Sequence, residues 1–148
     1  MAIQSISPRQ AAELLSGDQG HVYLDVRSVP EFSEGHPRSA RNVPLLQPDP
    51  RTGKLAPNPD FLKVVQANFP PETPLLLGCL SGGRSQKAAE ILERAGYRSV
   101  ASVRSGFGGS RDALGRVAEP GWAALGLPVD REERPGKSYE TLLGRILQ

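Results

Sequence analysis

The chain's single cysteine, Cys79, stands in the string Gly78-Cys79-Leu80-Ser81-Gly82-Gly83-Arg84-Ser85, where the apolar run Leu75 to Leu77 gives way to a helical pattern. A lone cysteine after an apolar strand packs well as a small hydrophobe. Its neighbours point to chemistry instead. Gly82 and Gly83 allow the backbone to curl with positive φ, so that successive amide N–H groups turn toward one centre. The helix that follows contributes its unpaired first-turn N–H groups and the positive end of its dipole. Inward amides and the nearby Arg84 stabilise a thiolate, and the thiolate is the nucleophile. The same donors hold an anion beside the sulfur, or the charge of a terminal sulfur carried on Cys79. Such a site needs no histidine base. Cys79 is therefore the candidate catalytic residue, with Leu80, Ser81, Gly82, Gly83, Arg84 and Ser85 as the substrate-binding ring. Between the two hydroxyls, Ser81 is the favoured contact because it lies inside the ring. Arg84 has two open roles: direct anion ligand, or brace through an outward salt bridge.

The surrounding pattern must hold this loop. Ser7-Pro8 followed by Ala11, Ala12, Leu14 and Leu15 predicts a capped amphipathic helix. His21 to Val26 reads as a buried strand, with a short helix at Pro30 to Ser33 ending near Gly35 and a further short strand within Ala40 to Leu46. Gln47 to Pro59 is rich in proline and turn formers and reads as an exposed loop. A helix then carries Phe61, Val64, Val65 and Asn68 on one face with Asp60 as N-cap, and Thr73 to Gly78 is a buried strand. Arg84 to Ala95 forms an amphipathic helix with Ala88, Ile91, Leu92 and Ala95 inward, stopped by Gly96. Tyr97 to Val103 is one more strand. The glycine-rich stretch from Arg104 to Gly121 resists assignment, and Ser138 to Gln148 reads as a terminal helix with an apolar stripe of Leu142, Leu143, Ile146 and Leu147. Strands alternating with helices predict an α/β fold with a mostly parallel sheet covered on both faces. Sites in such folds lie beyond the carboxyl ends of strands, where Cys79 stands.

The 148 residues suit one domain with its own core. The formal charge of +2 comes from scattered basic residues, which does not indicate nucleic acid. Arg98, Arg104 and Arg111 form a local excess that would bias an entrance toward anions. No apolar run approaches the ~20 residues of a membrane span. Nothing at the amino terminus reads as a secretory leader, and one cysteine cannot form an internal disulfide, so a reducing, cytoplasmic location is expected. His21 and His36 lack companions at ligand spacing, so neither a metal nor a cofactor is expected. Trp122 is read as a core residue.

"CLSGGRS" resembles the C-x-x-G-x-R-S active loop of the rhodanese sulfurtransferases. "YLDVRSVPEFSEGHPRSARNVPL" is similar to that family's D-V-R, E-F, G-H and N-x-P landmarks, at Asp25, Val26, Arg27, Glu31, Phe32, Gly35, His36, Asn42 and Pro44. The resemblance runs from about Ile6 to Val129 and is closest to stand-alone, single-domain members. It implies a five-stranded, mainly parallel sheet flanked by helices on both faces. The implied reaction is a double displacement in which the Cys79 thiolate takes a sulfane sulfur from a small anionic donor such as thiosulfate. The persulfide then passes it to cyanide, a thiol or a protein. Without a second cysteine, transfer goes directly from Cys79 to an external acceptor. In this pattern Asp25 and Arg27 brace the active loop with Glu31 as their partner, and His36 fixes a turn. Trp122 is displaced from the family's spacing, and the tail has no counterpart, so a single domain over residues 1–130 with a C-terminal helical extension over 131–148 is expected. Two alternatives stand beside sulfur transfer. One is a phosphatase or arsenate reductase on the same fold; those enzymes use C-x5-R, whereas Cys79 to Arg84 is C-x4-R, a tighter ring that suits one sulfur better than a phosphoryl group with three equatorial oxygens. The other is a non-catalytic interaction module, which would not be expected to retain the cysteine and its glycines.

Overall fold

Two runs in the chain, Leu75–Gly78 and Val100–Val103, are buried at every position. Strands of that kind need cover on both faces, which parallel sheets obtain from their crossover helices. The computed structural model, which describes residues 3–131 and 136–147, has this architecture. In chain order the main elements are β1 (Gln4–Ile6), α1 (Pro8–Ser16), β2 (Val22–Asp25), α2 (Val29–Glu34), β3 (Arg41–Asn42), α3 (Phe61–Asn68), β4 (Leu75–Gly78), α4 (Gly83–Arg94), β5 (Val100–Val103) and α5 (Tyr139–Leu143). The five strands lie in the order β1-β5-β4-β2-β3, and every neighbouring pair is parallel. Register sets Asp25 beside Gly78 and Leu77 beside Ser102, which brings the carboxyl ends of β2, β4 and β5 together below the cysteine loop.

Alternation of side chains along the strands divides the core. Leu24, Leu75 and Leu77 pack with Val64, Val65, Leu92 and Leu142 from α3, α4 and α5. Tyr23, Leu76 and Val103 pack with Ala11, Phe32 and Trp122 on the opposite face. Burial of each such leucine contributes about 1.5–3 kcal/mol, and this sandwich holds the strand ends in place. The helices that start near the site are locally encoded. Ser7 and Gln10 form a capping box on α1, as do Ser28 and Glu31 on α2, each with a proline in the first turn.

Several local expectations change. The buried face of α4 is Ser85, Ala88, Ala89 and Leu92, while Ile91 is exposed. The helix is rotated toward its small residues, which lets it lie close on β4 and β5. Asp60 occupies the N-cap of α3 without a side-chain cap bond. The neighbouring Asn58 does the tying instead: its Oδ1 accepts from Asp60 N at 3.0 Å, and its Nδ2 donates to the Pro44 carbonyl at 3.0 Å and to Tyr139 Oη at 3.1 Å. The loop expected over Gln47 to Pro59 contains an antiparallel ribbon, Leu46–Pro48 with Leu55–Pro57; prolines fit because a two-stranded ribbon is all edge. The glycine-rich stretch after β5 holds a second ribbon, Ser110–Arg111 with Val117–Glu119. Insertion of this hairpin explains the displaced Trp122, whose buried ring still meets Tyr23 edge-on at 5.6 Å and whose Nε1 donates to the Pro128 carbonyl at 2.8 Å.

At the other end of the chain, α5 stops at Leu143 and continues as a 3-10 turn, Gly144–Leu147. Tyr139 and Leu142 enter the core beside α3, where Asn68 Nδ2 donates to the Leu142 carbonyl at 3.0 Å. Of the expected stripe, Leu143 and Ile146 are partly buried, and the side chain of Leu147 and residues 132–135 lie outside the described residues. No helix among the described residues is long and apolar enough to cross a membrane.

Candidate active site

The loop between β4 and α4 turns on Gly82, which has φ +116°. A Cβ there would run into the Arg104 carbonyl oxygen, so both conformation and space require glycine. With this turn, Gly82 N–H donates to Cys79 Sγ at 3.0 Å. The loop's carbonyls are drawn the other way: Phe107 N donates to Cys79 O and Gly108 N to Leu80 O, each at 2.8 Å. Gly106 makes this approach possible, because any side chain on it would strike the Cys79 carbonyl. Outward carbonyls leave inward amides. The N–H groups of Leu80 and Ser81 meet no acceptor among the described residues, and those of Gly83, Arg84 and Ser85 belong to the first turn of α4, which has no intrahelical acceptors.

Cys79 is 2% exposed. Beneath the ring, Ser85 Oγ lies 3.6 Å from Sγ and 2.9 Å from Ser102 Oγ, and donates to the Gly82 carbonyl at 3.0 Å. The hydroxyl that reaches the sulfur is thus Ser85's, not that of the favoured Ser81, which is exposed. A serine at the first turn of the helix points back under the loop, whereas one at the loop's crest points to solvent.

The Arg84 side chain is held in a salt bridge. Its guanidinium makes a two-pronged contact with Glu31, Nη1 to Oε1 at 2.7 Å and Nη2 to Oε2 at 3.0 Å. Glu31 therefore partners Arg84 rather than the Asp25–Arg27 pair, a correction to the expected grouping. Its carboxylate also accepts from Ser28 N–H and Oγ–H in the capping box of α2. The Arg84 hydrogen bonds, helped by Ser28 and opposed by partial burial, hold the Glu31 carboxyl at about 2. An ordinary glutamate titrates near about 4.3, so this pair stabilises the fold fully above that value and the contribution is lost as pH falls toward about 2. Glu31→Gln should accordingly lower the unfolding free energy by a constant amount between pH 5 and 8, with the deficit shrinking from about pH 4.5 to 2. Urea unfolding of both proteins across that range checks this; a pH-independent deficit would detach it from the Arg84 contact.

Asp25 and Arg27 form a buried pair at the end of β2. Arg27 Nη2 meets Asp25 Oδ2 at 2.7 Å, and Nη2 also donates to the Gly35 carbonyl at 2.7 Å. Burial works against the Arg27 charge, but its hydrogen bonds to the Asp25 carboxylate and that carboxylate's field outweigh it and hold the guanidinium above its usual value. The same guanidinium lies 4.5 Å over the Phe107 ring, so the pair supports the residue whose N–H holds the Cys79 carbonyl. Asn42 ties the strand end, its Nδ2 donating to the Asp25 and Arg27 carbonyls at 3.0 Å each. His36 is buried, stacked on Phe32 at 3.6 Å with Nδ1 2.6 Å from the Phe32 carbonyl, so it fixes a turn.

A cleft of about 330 Å³ opens beside the loop, lined by Arg27, Glu31, Glu34, Gly35, Leu80 and Phe107. The expected anion-attracting arginines, Arg98, Arg104 and Arg111, do not line this cleft. Arg104 is paired with Glu119 at 2.9 Å and Arg111 donates to the Gly115 carbonyl in the hairpin. Sequence reasoning missed Ser102 and Phe107. For Ser102 the signal was a lone polar residue in an apolar strand; for Phe107 it was an aromatic set among glycines.

A family model described as "Rhodanese-like domain" matches residues 7–112. Among curated proteins, the Arabidopsis thaliana protein named "Thiosulfate sulfurtransferase 16, chloroplastic" is 38% identical over 125 residues, covering 84% of this chain and 91% of that protein. The Haemophilus influenzae protein named "Thiosulfate sulfurtransferase GlpE" is 28% identical over 131 residues, 88% of this chain and 97% of the other. Among solved structures, that of Rv0390 from M. tuberculosis superposes with a TM-score of 0.73 at 33% identity, covering 89% of this chain and all of that one.

Proposed function

Because the chain belongs to the rhodanese-like domain family and is a transferase of rhodanese type, we propose that it moves a sulfane sulfur from thiosulfate or a similar donor to a thiophilic acceptor through a persulfide on Cys79. The observation that carries this reading is the loop itself: the Cys79 sulfur already accepts the Gly82 N–H, and the loop carbonyls are tied outward to Phe107 and Gly108. That leaves a ring of amide donors for the negative charge of one more sulfur.

In the first step the Cys79 thiolate attacks the outer sulfur of thiosulfate. A bond forms between the two sulfurs, and the sulfur–sulfonate bond breaks, its electron pair leaving with sulfite. The terminal sulfur of the persulfide then carries the charge inside the ring. In the second step the acceptor's lone pair attacks that sulfur, the persulfide bond breaks, and the Cys79 thiolate returns. Cyanide gives thiocyanate; a thiol or a protein cysteine gives a new persulfide. Leu80, Ser81, Gly82, Gly83, Arg84 and Ser85 contribute through their backbone amides, and Ser85 also through its hydroxyl. Substrates enter by the cleft between Glu34, Leu80 and Phe107. Arg84, engaged by Glu31, holds the loop's shape, as Asp25 and Arg27 do from the opposite side. We place the protein in a reducing compartment such as the cytoplasm, where a lone free thiol persists, and assign residues 1–130 to the catalytic domain and 131–148 to a helical extension.

Purified protein given thiosulfate and cyanide should produce thiocyanate and sulfite in equal amounts, and should leave an aryl phosphate unhydrolysed. Aryl phosphate turnover without thiocyanate would transfer the loop to phosphoryl chemistry.

A further inference from the structure

Within β5, Val-Ala-Ser-Val, Ser102 is the one polar residue, and it is 2% exposed. Among the described residues its hydroxyl has a single hydrogen-bond contact, Ser85 Oγ at 2.9 Å. Ser85 Oγ has three: Ser102, the Gly82 carbonyl at 3.0 Å and Cys79 Sγ at 3.6 Å. A serine hydroxyl owns one proton and two acceptor sites, so the directions of these bonds are constrained.

If Ser102 accepted from Ser85, its own buried O–H would have no acceptor, and an orphaned buried donor costs more than an unfilled lone pair. Ser102 therefore donates to Ser85. Ser85 keeps its single proton for the other side, where two acceptors compete. While Cys79 is a thiol, its S–H points to Ser85 Oγ and the Ser85 proton goes to the Gly82 carbonyl, which satisfies every group. Once the sulfur is anionic, the S–H is gone and the Ser85 O–H turns from the carbonyl to Sγ, joining the Gly82 N–H there. The turn is a rotation about one bond.

We propose that Ser102 is a positioning residue for the sulfur chemistry: by donating to Ser85 Oγ from the neighbouring strand, it orients and polarises the Ser85 hydroxyl so that its proton is given more strongly to the anionic sulfur of Cys79. The proposal rests on Cys79 as the sulfur carrier, and it assigns a role to a residue outside the active loop.

The test compares wild type, Ser102→Ala, Ser102→Thr, Ser85→Ala and the double alanine variant by two readouts. One is the pH profile of Cys79 alkylation by iodoacetamide; the other is kcat and KM with thiosulfate and cyanide. Ser102→Ala should move the alkylation midpoint upward by about half a unit or more and lower kcat roughly 3- to 10-fold with KM nearly unchanged. Ser102→Thr, which keeps the hydroxyl and suits a strand, should restore both. Because Ser102 acts only through Ser85, the double variant should be no worse than Ser85→Ala. An unmoved midpoint in folded Ser102→Ala, or additive losses in the double variant, would overturn the proposal and leave Ser102 as a packing residue. If wild type alkylates at Cys79 but forms no thiocyanate, the sulfurtransferase reading fails separately, and the alkylation profiles still decide the role of Ser102.

Discussion

Replacing Cys79 with serine should abolish sulfur transfer, lowering kcat/KM for thiosulfate by about 10³-fold or more. A serine hydroxyl is of similar size and can accept the Gly82 N–H, so the loop should keep its shape. Its oxygen is far less acidic than a thiol and cannot carry a labile sulfur as a persulfide does. Unfolding free energy should therefore stay within about 1 kcal/mol of wild type while activity disappears. Steady-state thiocyanate assays paired with urea unfolding separate the two. Residual activity within tenfold of wild type would require another nucleophile, and the chain has no second cysteine to provide one.

The largest loss of stability should follow Asp25→Ala. Asp25 and Arg27 are buried, with side-chain exposures of 1% and 4%, and the carboxylate makes three contacts with the guanidinium besides accepting the Arg27 N–H. Removing the acid leaves a buried cation with the Gly35 carbonyl, the face of Phe107 and the more distant Glu31 carboxylate as compensation, and no direct anionic partner among the described residues. Breaking a buried pair in this way costs about 3–5 kcal/mol, a large share of the 5–15 kcal/mol typical of a domain. Activity should fall with it, because Arg27 supports Phe107 and Phe107 N–H holds the Cys79 carbonyl. The paired replacement Asp25→Leu with Arg27→Met removes both charges and should be less destabilising than Asp25→Ala alone. Chemical unfolding of the three proteins tests this; a double variant as unstable as the single would mean that the charges themselves are not the issue.

How far this was readable from the chain depends on the distance over which each feature is determined. The cysteine loop was legible because its ingredients are contiguous: an apolar strand, two glycines and a helix start fix both the turn and the direction of the amides. The parallel sheet followed from the alternation of short apolar strands with helical segments along the chain, Leu75–Gly78 before Gly83–Arg94 above all. Partners distant in sequence were not legible. Glu31 and Arg84 are 53 positions apart, so the residue types allowed Glu31 to be grouped with Asp25 and Arg27 until the packing of α2 on the loop decided otherwise. Ser81 and Ser85 are chemically alike, and only the direction of the first helical turn chooses Ser85. The ribbon at 46–57 escaped because proline-rich sequence signals turns, and an isolated two-stranded ribbon tolerates prolines that a central strand does not. Asp60 looked like a cap by residue type, but its side chain makes no cap bond, and Asn58 secures the helix entry by accepting the Asp60 N–H.

The central claim is that Cys79 carries the sulfur between donor and acceptor, and intact-protein mass spectrometry addresses it most directly. Wild-type protein incubated with thiosulfate and desalted should gain the mass of one sulfur atom, located to the Cys79 peptide and lost when cyanide is added. No gain from thiosulfate or any other sulfane donor, or a gain that persists in Cys79→Ser, would contradict it.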